Sequence, residues 1–272
     1  MKNILIPTDF SPNAQYAINY GAEMADRMNA SITLLNAFDI PIYADQLYFE
    51  SDTISNWEND FTKMLHDIAG EILKKHPGLK INTISKFGQA ADVILEQATG
   101  FDLIIMGSKG HGDIGDVIFG NVTSDVVNQS KKNILVVPPE VEFTPVKNIV
   151  LACHKESLIS ERIVANIQEY ADIFGAKLNL LNVMTEIAEP VNAVYAEVDK
   201  IKGHFSGIET SVNVIASNKV VDGINRFSDR IKANMVVIVP DKHSLFERIF
   251  TEIHTNHILK VTHQALLIIK KG

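Results

Sequence analysis

The residues of this chain that could do chemistry gather around one glycine-rich stretch. Gly107-Ser108-Lys109-Gly110-His111-Gly112-Asp113-Ile114-Gly115 is followed, after four residues, by Gly120-Asn121-Val122-Thr123. Glycine lets backbone approach a ligand closely and adopt positive φ. A helix opening at Gly120-Asn121 offers unpaired N–H groups and a partial positive charge to an anion. Lys109 adds a full positive charge, so the combination suits a phosphate cradle. Asp113 and Asp116 are poor phosphate neighbours unless a divalent cation intervenes, and are expected to face solvent. Far upstream, Pro7-Thr8-Asp9-Phe10-Ser11 supplies a carboxylate. By itself, Asp9 would read as the cap of the helix that follows.

Known phosphate motifs narrow the reading. A Walker A loop needs Lys and then Ser or Thr after its second glycine, whereas Gly112 precedes Asp113-Ile114. Gly110-His111-Gly112-Asp113-Ile114-Gly115 satisfies G-x-G-x-x-G. It follows a fourth strand and opens no immediate helix, so a dehydrogenase dinucleotide site is disfavoured. What remains is Gly107-x-x-Gly110, nine residues, then Gly120.

These loops need a scaffold that brings them together. Apolar runs near 3–7, 31–37, 81–86, 102–106 and 133–137 read as strands. Helical periodicity occupies Ala14–Met28, Ile54–Lys75, Ala90–Ala98 and Asn121–Gln129 between them. Strands that are apolar on both faces suit a parallel sheet covered by helices on both sides. The regular alternation predicts a doubly wound α/β domain of order 3-2-1-4-5, Rossmann-like. In such sheets ligands bind beyond the carboxyl ends of the strands. Asp9, Ala37, Met106 and the glycine stretch all fall there.

The pattern then recurs. Asn3-Ile4-Leu5-Ile6 returns as Asn148-Ile149-Val150-Leu151, and residues 25–36 match 171–182 at six of twelve positions. Leu103-Ile104-Ile105-Met106 pairs with Met235-Val236-Val237-Ile238, and Ile134–Val137 with Leu266–Ile269. Kept order indicates a duplicated domain. Pro138, Pro139 and Pro145 mark a short stiff linker, so the expected domains are 1–140 and 146–272. Strands of the second copy are expected near 148–152, 177–183, 211–215, 234–239 and 265–269.

The spacing of Gly107, Gly110 and Gly120, the preceding Leu-Ile-Ile-Met run, Asp9 after the first strand and the duplication together resemble the universal stress protein family in its tandem form. The resemblance covers nearly the whole chain. It implies ATP across the strand ends of the first copy, with or without Mg²⁺. Asp9 and the Ala37 backbone would lie near adenine and ribose, with Gly107 beside the ribose. Gly110, Gly120 and Asn121 would hold phosphates, with Lys109 and His111 at the rim. Pro7, Thr8, Met106, Val122 and Thr123 complete the implied nucleotide site. One departure stands out. Where the family usually has Ser or Thr after the last glycine, this chain has Asn121. Its amide can donate, but the hydroxyl is missing, and Thr123 is the available substitute.

The second copy lacks these groups. Gly107, Gly110, Gly120 and Asn121 correspond to Val239, Lys242, Glu252 and Ile253, and Asp9 to His154. The second domain is therefore expected to bind no nucleotide in this manner and to act as a pseudo-dimer partner of the first, with a homodimer also open. His243, His254, His257 and His263 cluster late in the chain; a solvated helix face is the favoured reading over zinc. Cys153-His154 suggests a dyad, yet consecutive strand residues point to opposite faces, which favours a core cysteine. Asp39–Asp60, with Tyr43, Tyr48, Phe49 and Trp57, reads as an irregular lead-in whose aromatics pack on their own domain, rather than as a flap over the nucleotide or a contact for another subunit. Ile68, Ile72 and Leu79 read as core.

Composition excludes several classes. The 272 residues carry 25 Lys plus Arg against 33 Asp plus Glu, a net charge of −8, which disfavours nucleic-acid binding. A single cysteine leaves no internal disulfide, and no apolar run reaches the roughly 18 residues of a membrane helix. With no secretory pattern at the start, a cytoplasmic location is expected. Nothing supplies an evident general base, arginine finger or second metal carboxylate for fast phosphoryl transfer. The expected function is that of a stress-response ATP binder acting as sensor or regulator, with at most slow hydrolysis. A nucleotide-independent interaction scaffold is the alternative, with unidentified protein partners in either case. An adenylate- or hydride-transferring enzyme would show a substrate domain with its own constellation, and the second copy shows none.

Overall fold

The computed structural model describes residues 3–39, 51–109, 119–153, 159–185, 190–240 and 264–271, with backbone alone at 51–53. Two compact units meet along the chain between Phe143 and Thr144. The first contains β1 (Asn3–Pro7), α1 (Pro12–Met28), β2 (Ser31–Phe38), α2 (Ser51–Lys75), β3 (Ile81–Phe87), α3 (Ala90–Gln97), β4 (Leu103–Gly107), α4 (Asn121–Gln129) and β5 (Asn133–Val137). Its strands are ordered β3-β2-β1-β4-β5 and every pairing among them is parallel. This is the doubly wound α/β arrangement expected from the sequence.

The cause is legible in the burial. β4 and β5 are buried at every position, and Ile4, Leu5 and Ile6 of β1 are fully inaccessible. Each such side chain contributes about 1.5–3 kcal/mol when removed from water, and helices on both faces are needed to achieve it. α1 packs on β1, β4 and β5, α2 on β2 and β3, while α3 and α4 contact one another. Gly21 of α1 sits so close to the sheet that a Cβ there would meet Ile6 Cδ1 at 2.5 Å. Ser11 starts α1 by accepting the Ala14 N–H at 3.2 Å, with Pro12 preset for the first turn. α2 begins three residues earlier than the periodicity indicated, at Ser51. Trp57, expected to pack on its own domain, is instead 37% exposed; Tyr43, Tyr48 and Phe49 lie outside the described residues.

The second unit repeats the plan with β6 (Asn148–Ala152), α5 (Glu161–Phe174), β7 (Lys177–Met184), α6 (Val191–Lys202), β8 (Thr210–Ala216), α7 (Val220–Ile231), β9 (Met235–Ile238) and β10 (Ala265–Ile268). Its order is β10-β9-β6-β7-β8, again parallel throughout. Duplication reaches individual hydrogen bonds. Asn36 Nδ2 donates to the Thr8 carbonyl at 2.9 Å, and Asn182 Nδ2 to the Cys153 carbonyl at 3.1 Å. Asn29 and Gly175, aligned in sequence, both end their helices in the left-handed conformation at φ 49° and 61°.

Candidate functional site

At the carboxyl ends of β1, β2 and β4 the first unit holds a cavity of about 240 Å³. Pro7, Thr8, Asp9, Ala37, Met106, Gly107, Lys109, Gly120, Asn121, Val122 and Thr123 all line it. These are the residues singled out in the sequence, apart from Gly110 and His111, which lie outside the described residues along with Asp113 and Asp116. Ala14, Leu35, Ala90 and Ile94 line it as well, and the sequence reading did not include them. Ala90 and Ile94 are one turn apart on α3, which packs on β2. Their periodicity resembles any core-facing helix; only the strand order brings that face to the cavity.

The lining divides by chemistry. Ala14, Leu35, Ala37, Ala90, Ile94 and Met106 form an apolar wall, and Thr8, Asp9, Lys109 and the start of α4 supply the polar groups. Asp9 does not cap α1, which Ser11 does; its Oδ1 accepts the Ser11 N–H at 3.0 Å. Thr8 Oγ1 accepts the Phe10 N–H at 3.0 Å. Between them Phe10 is held at φ 62°, a conformation a large side chain rarely takes.

A Cβ on Gly107 would lie 3.1 Å from the Asn13 carbonyl oxygen and 3.3 Å from that of Lys109. Its small size therefore serves strand–helix packing, whatever else it serves. Gly120 is the N-cap of α4 and carries no side chain to bond the helix's first amides. No acidic residue occupies the first turn of α4. Its N-terminal dipole, with Lys109 nearby on the lining, makes this end of the cavity favourable to an anion. The Thr123 hydroxyl donates to the Gly107 carbonyl at 2.9 Å and is buried, so its proton faces the protein and not the cavity.

In the second unit, Val239 stands where Gly107 stands in the first and is buried; His154, Lys242, Glu252 and Ile253 lie outside the described residues, as do the late histidines. Cys153 is 4% exposed and its thiol donates to the Leu181 carbonyl at 3.7 Å. Burial pushes its pKa up to about 12, the behaviour of a core cysteine and not of a nucleophile. Among the described residues no group of three His, Cys, Asp or Glu side chains could hold a metal ion, and no helix is long and apolar enough to cross a membrane.

Comparison with known proteins agrees with the fold. The model of the universal stress protein family matches residues 1–138. A universal stress protein of Staphylococcus haemolyticus is 28% identical over 149 residues, covering 51% of this chain and 86% of that protein. One from Methanocaldococcus jannaschii is 29% identical over 152 residues, covering 50% and 94% respectively. The crystal structure of a universal stress protein from Archaeoglobus fulgidus superimposes with a TM-score of 0.75 at 17% identity, over 99% of this chain and 96% of that one, a likeness of fold. The chain belongs to the universal stress protein family.

Proposed function

We propose that the first unit binds an adenine nucleotide, ATP in particular, and that the protein acts as a sensor or regulator of stress with at most slow hydrolysis. One observation carries the reading: residues from β1, β2, β4 and α4, far apart in sequence, converge on a single cavity with an apolar wall and an anion-favouring end. A base has its apolar surface, a ribose has Asp9 as acceptor, and phosphates have the start of α4, where Gly120 makes no side-chain cap, with Lys109 on the same lining. The cavity, about 240 Å³ among the described residues, falls just below the roughly 300–1,000 Å³ common for small ligands, which suits a nucleoside portion inside and phosphates at the mouth. Mg²⁺, where used, would accompany the phosphates; among the described residues the lining holds no acidic pair to bind it alone.

The second unit is proposed to be silent. Features held in both copies, such as the Asn36 and Asn182 clamps, belong to the fold. Features of the first copy alone, Asp9 and Gly107 among them, are the candidates for function.

The alternative is a nucleotide-independent scaffold. It is favoured by Asn121, which has no hydroxyl, and by the engagement of the Thr123 hydroxyl with Gly107. Calorimetric titration of ATP with Mg²⁺ into nucleotide-stripped protein decides between them. One site per chain supports the nucleotide reading. Two sites would overturn the silent second unit, and no binding would leave the scaffold.

A further inference from the structure

The cavity rests on an aromatic support that does not line it. Phe10 follows Asp9, and Phe38 follows Ala37; both ring systems meet Phe61 of α2. The Phe10 and Phe61 rings lie parallel within 15° at 5.9 Å between centroids, and Phe38 meets Phe61 at 5.0 Å. None of the three phenylalanines is on the cavity wall, whereas Asp9 and Ala37 are. One side chain of α2 therefore contacts the immediate neighbours of two wall residues, one on each of two strands.

The Phe10 backbone explains why this contact matters. At φ 62° it occupies the left-handed region, where Cβ crowds the backbone and only Gly, Asn or Asp is at ease. Hydrogen bonds from Phe10 N–H to Thr8 Oγ1 and from Ser11 N–H to Asp9 Oδ1 define the turn on either side. Without its ring contact, Phe10 has a local incentive to leave that conformation and rotate Asp9 with it.

Resting on the nucleotide reading above, we infer that Phe61 is a positioning residue. It holds Phe10 in the left-handed turn and so fixes Asp9 against the nucleoside end of the ligand.

The test uses the full chain, titrated with adenosine and with ATP, in wild type, Phe61→Leu, Phe61→Tyr, Asp9→Ala and the Asp9→Ala/Phe61→Leu double variant. Phe61→Leu keeps an apolar side chain but removes the ring; thermal melting establishes that each variant is folded. Phe61→Leu is expected to weaken adenosine and ATP by the same factor, about tenfold, with Phe61→Tyr close to wild type. In the Asp9→Ala background the same substitution should cost less than about threefold, because the group it positions is gone. Equal losses with and without Asp9, or a loss confined to ATP, would overturn the inference. Wild-type protein that binds neither ligand overturns the nucleotide reading itself, and this inference with it, before any variant is compared.

Discussion

The Thr123 hydroxyl donates to the Gly107 carbonyl at 2.9 Å, joining the first turn of α4 to the last residue of β4. The bond links two residues that both line the cavity. It also determines what Thr123 can offer a ligand: its oxygen can accept, while its proton is engaged.

Thr123→Val tests that role. The isosteric change removes the donor and places a methyl beside a buried carbonyl. A loss of about 1–3 kcal/mol in stability to urea is expected. ATP affinity should fall much less, since the hydroxyl proton points away from the cavity. A stability unchanged within about 0.5 kcal/mol, with affinity lost, would assign Thr123 to the ligand instead.

Asp9→Ala separates binding from folding. The start of α1 is secured by Ser11 and Pro12, so removing the carboxylate should cost no more than about 1 kcal/mol of stability. ATP affinity should fall by at least about tenfold, the loss of a charge-assisted hydrogen bond to the ribose. Calorimetry and urea unfolding on the same preparation read the two effects. A stability loss without an affinity loss would make Asp9 a structural turn residue.

Burial of Cys153 predicts an alkaline signature. Its folded pKa, pushed up to about 12, lies above the roughly 8.5 of an exposed thiol. The folded state thus keeps its proton where the unfolded state loses it. Stability from this group is complete below about pH 8 and falls as pH rises, by about 1.4 kcal/mol per unit between the two values. Burial also raises the Tyr20 phenol, which adds loss at still higher pH. Cys153→Ala should flatten the decline between pH 9 and 10 in urea titrations, about half a unit to one and a half units above the thiol's unfolded pKa. Native protein should also resist thiol reagents that modify it readily when unfolded. Fast modification of the native thiol would contradict the core assignment.

Strand positions and order were readable because a parallel sheet buried on both faces leaves unbroken apolar runs, such as Leu103–Met106 and Ile134–Val137. The polar and glycine part of the candidate site was readable for a related reason: Asp9 and Gly107 fall where those runs end, on the side that a doubly wound sheet reserves for ligands, and Gly120 opens the helix after β4. The apolar wall was not. Ala14, Leu35, Ala90 and Ile94 are small or aliphatic residues in ordinary core patterns, and nothing local separates a wall position from a core position. The conformation of Phe10 was equally hidden, since propensity argues against an aromatic in the left-handed region and tertiary contact overrides it. For Gly107, sequence spacing pointed to a ligand, and the structure adds close packing against Asn13 as a second demand on the same atom position.

Asn121→Ser asks how far the site has drifted from the pattern the rest of the family suggests. Asn121 opens α4 beside Gly120 and lines the cavity, exposed to solvent, so the change disturbs no packing. Serine places a hydroxyl at the anion-favouring end, where the Thr123 hydroxyl, engaged with Gly107, does not donate. ATP affinity is expected to rise by about threefold to tenfold, the worth of one additional hydrogen bond to a charged oxygen. Adenosine, which carries no phosphate, should bind with unchanged affinity. A parallel rise for both ligands would mean that the substitution acts on the nucleoside end, and a fall for ATP alone would show that the Asn121 amide already holds the phosphate.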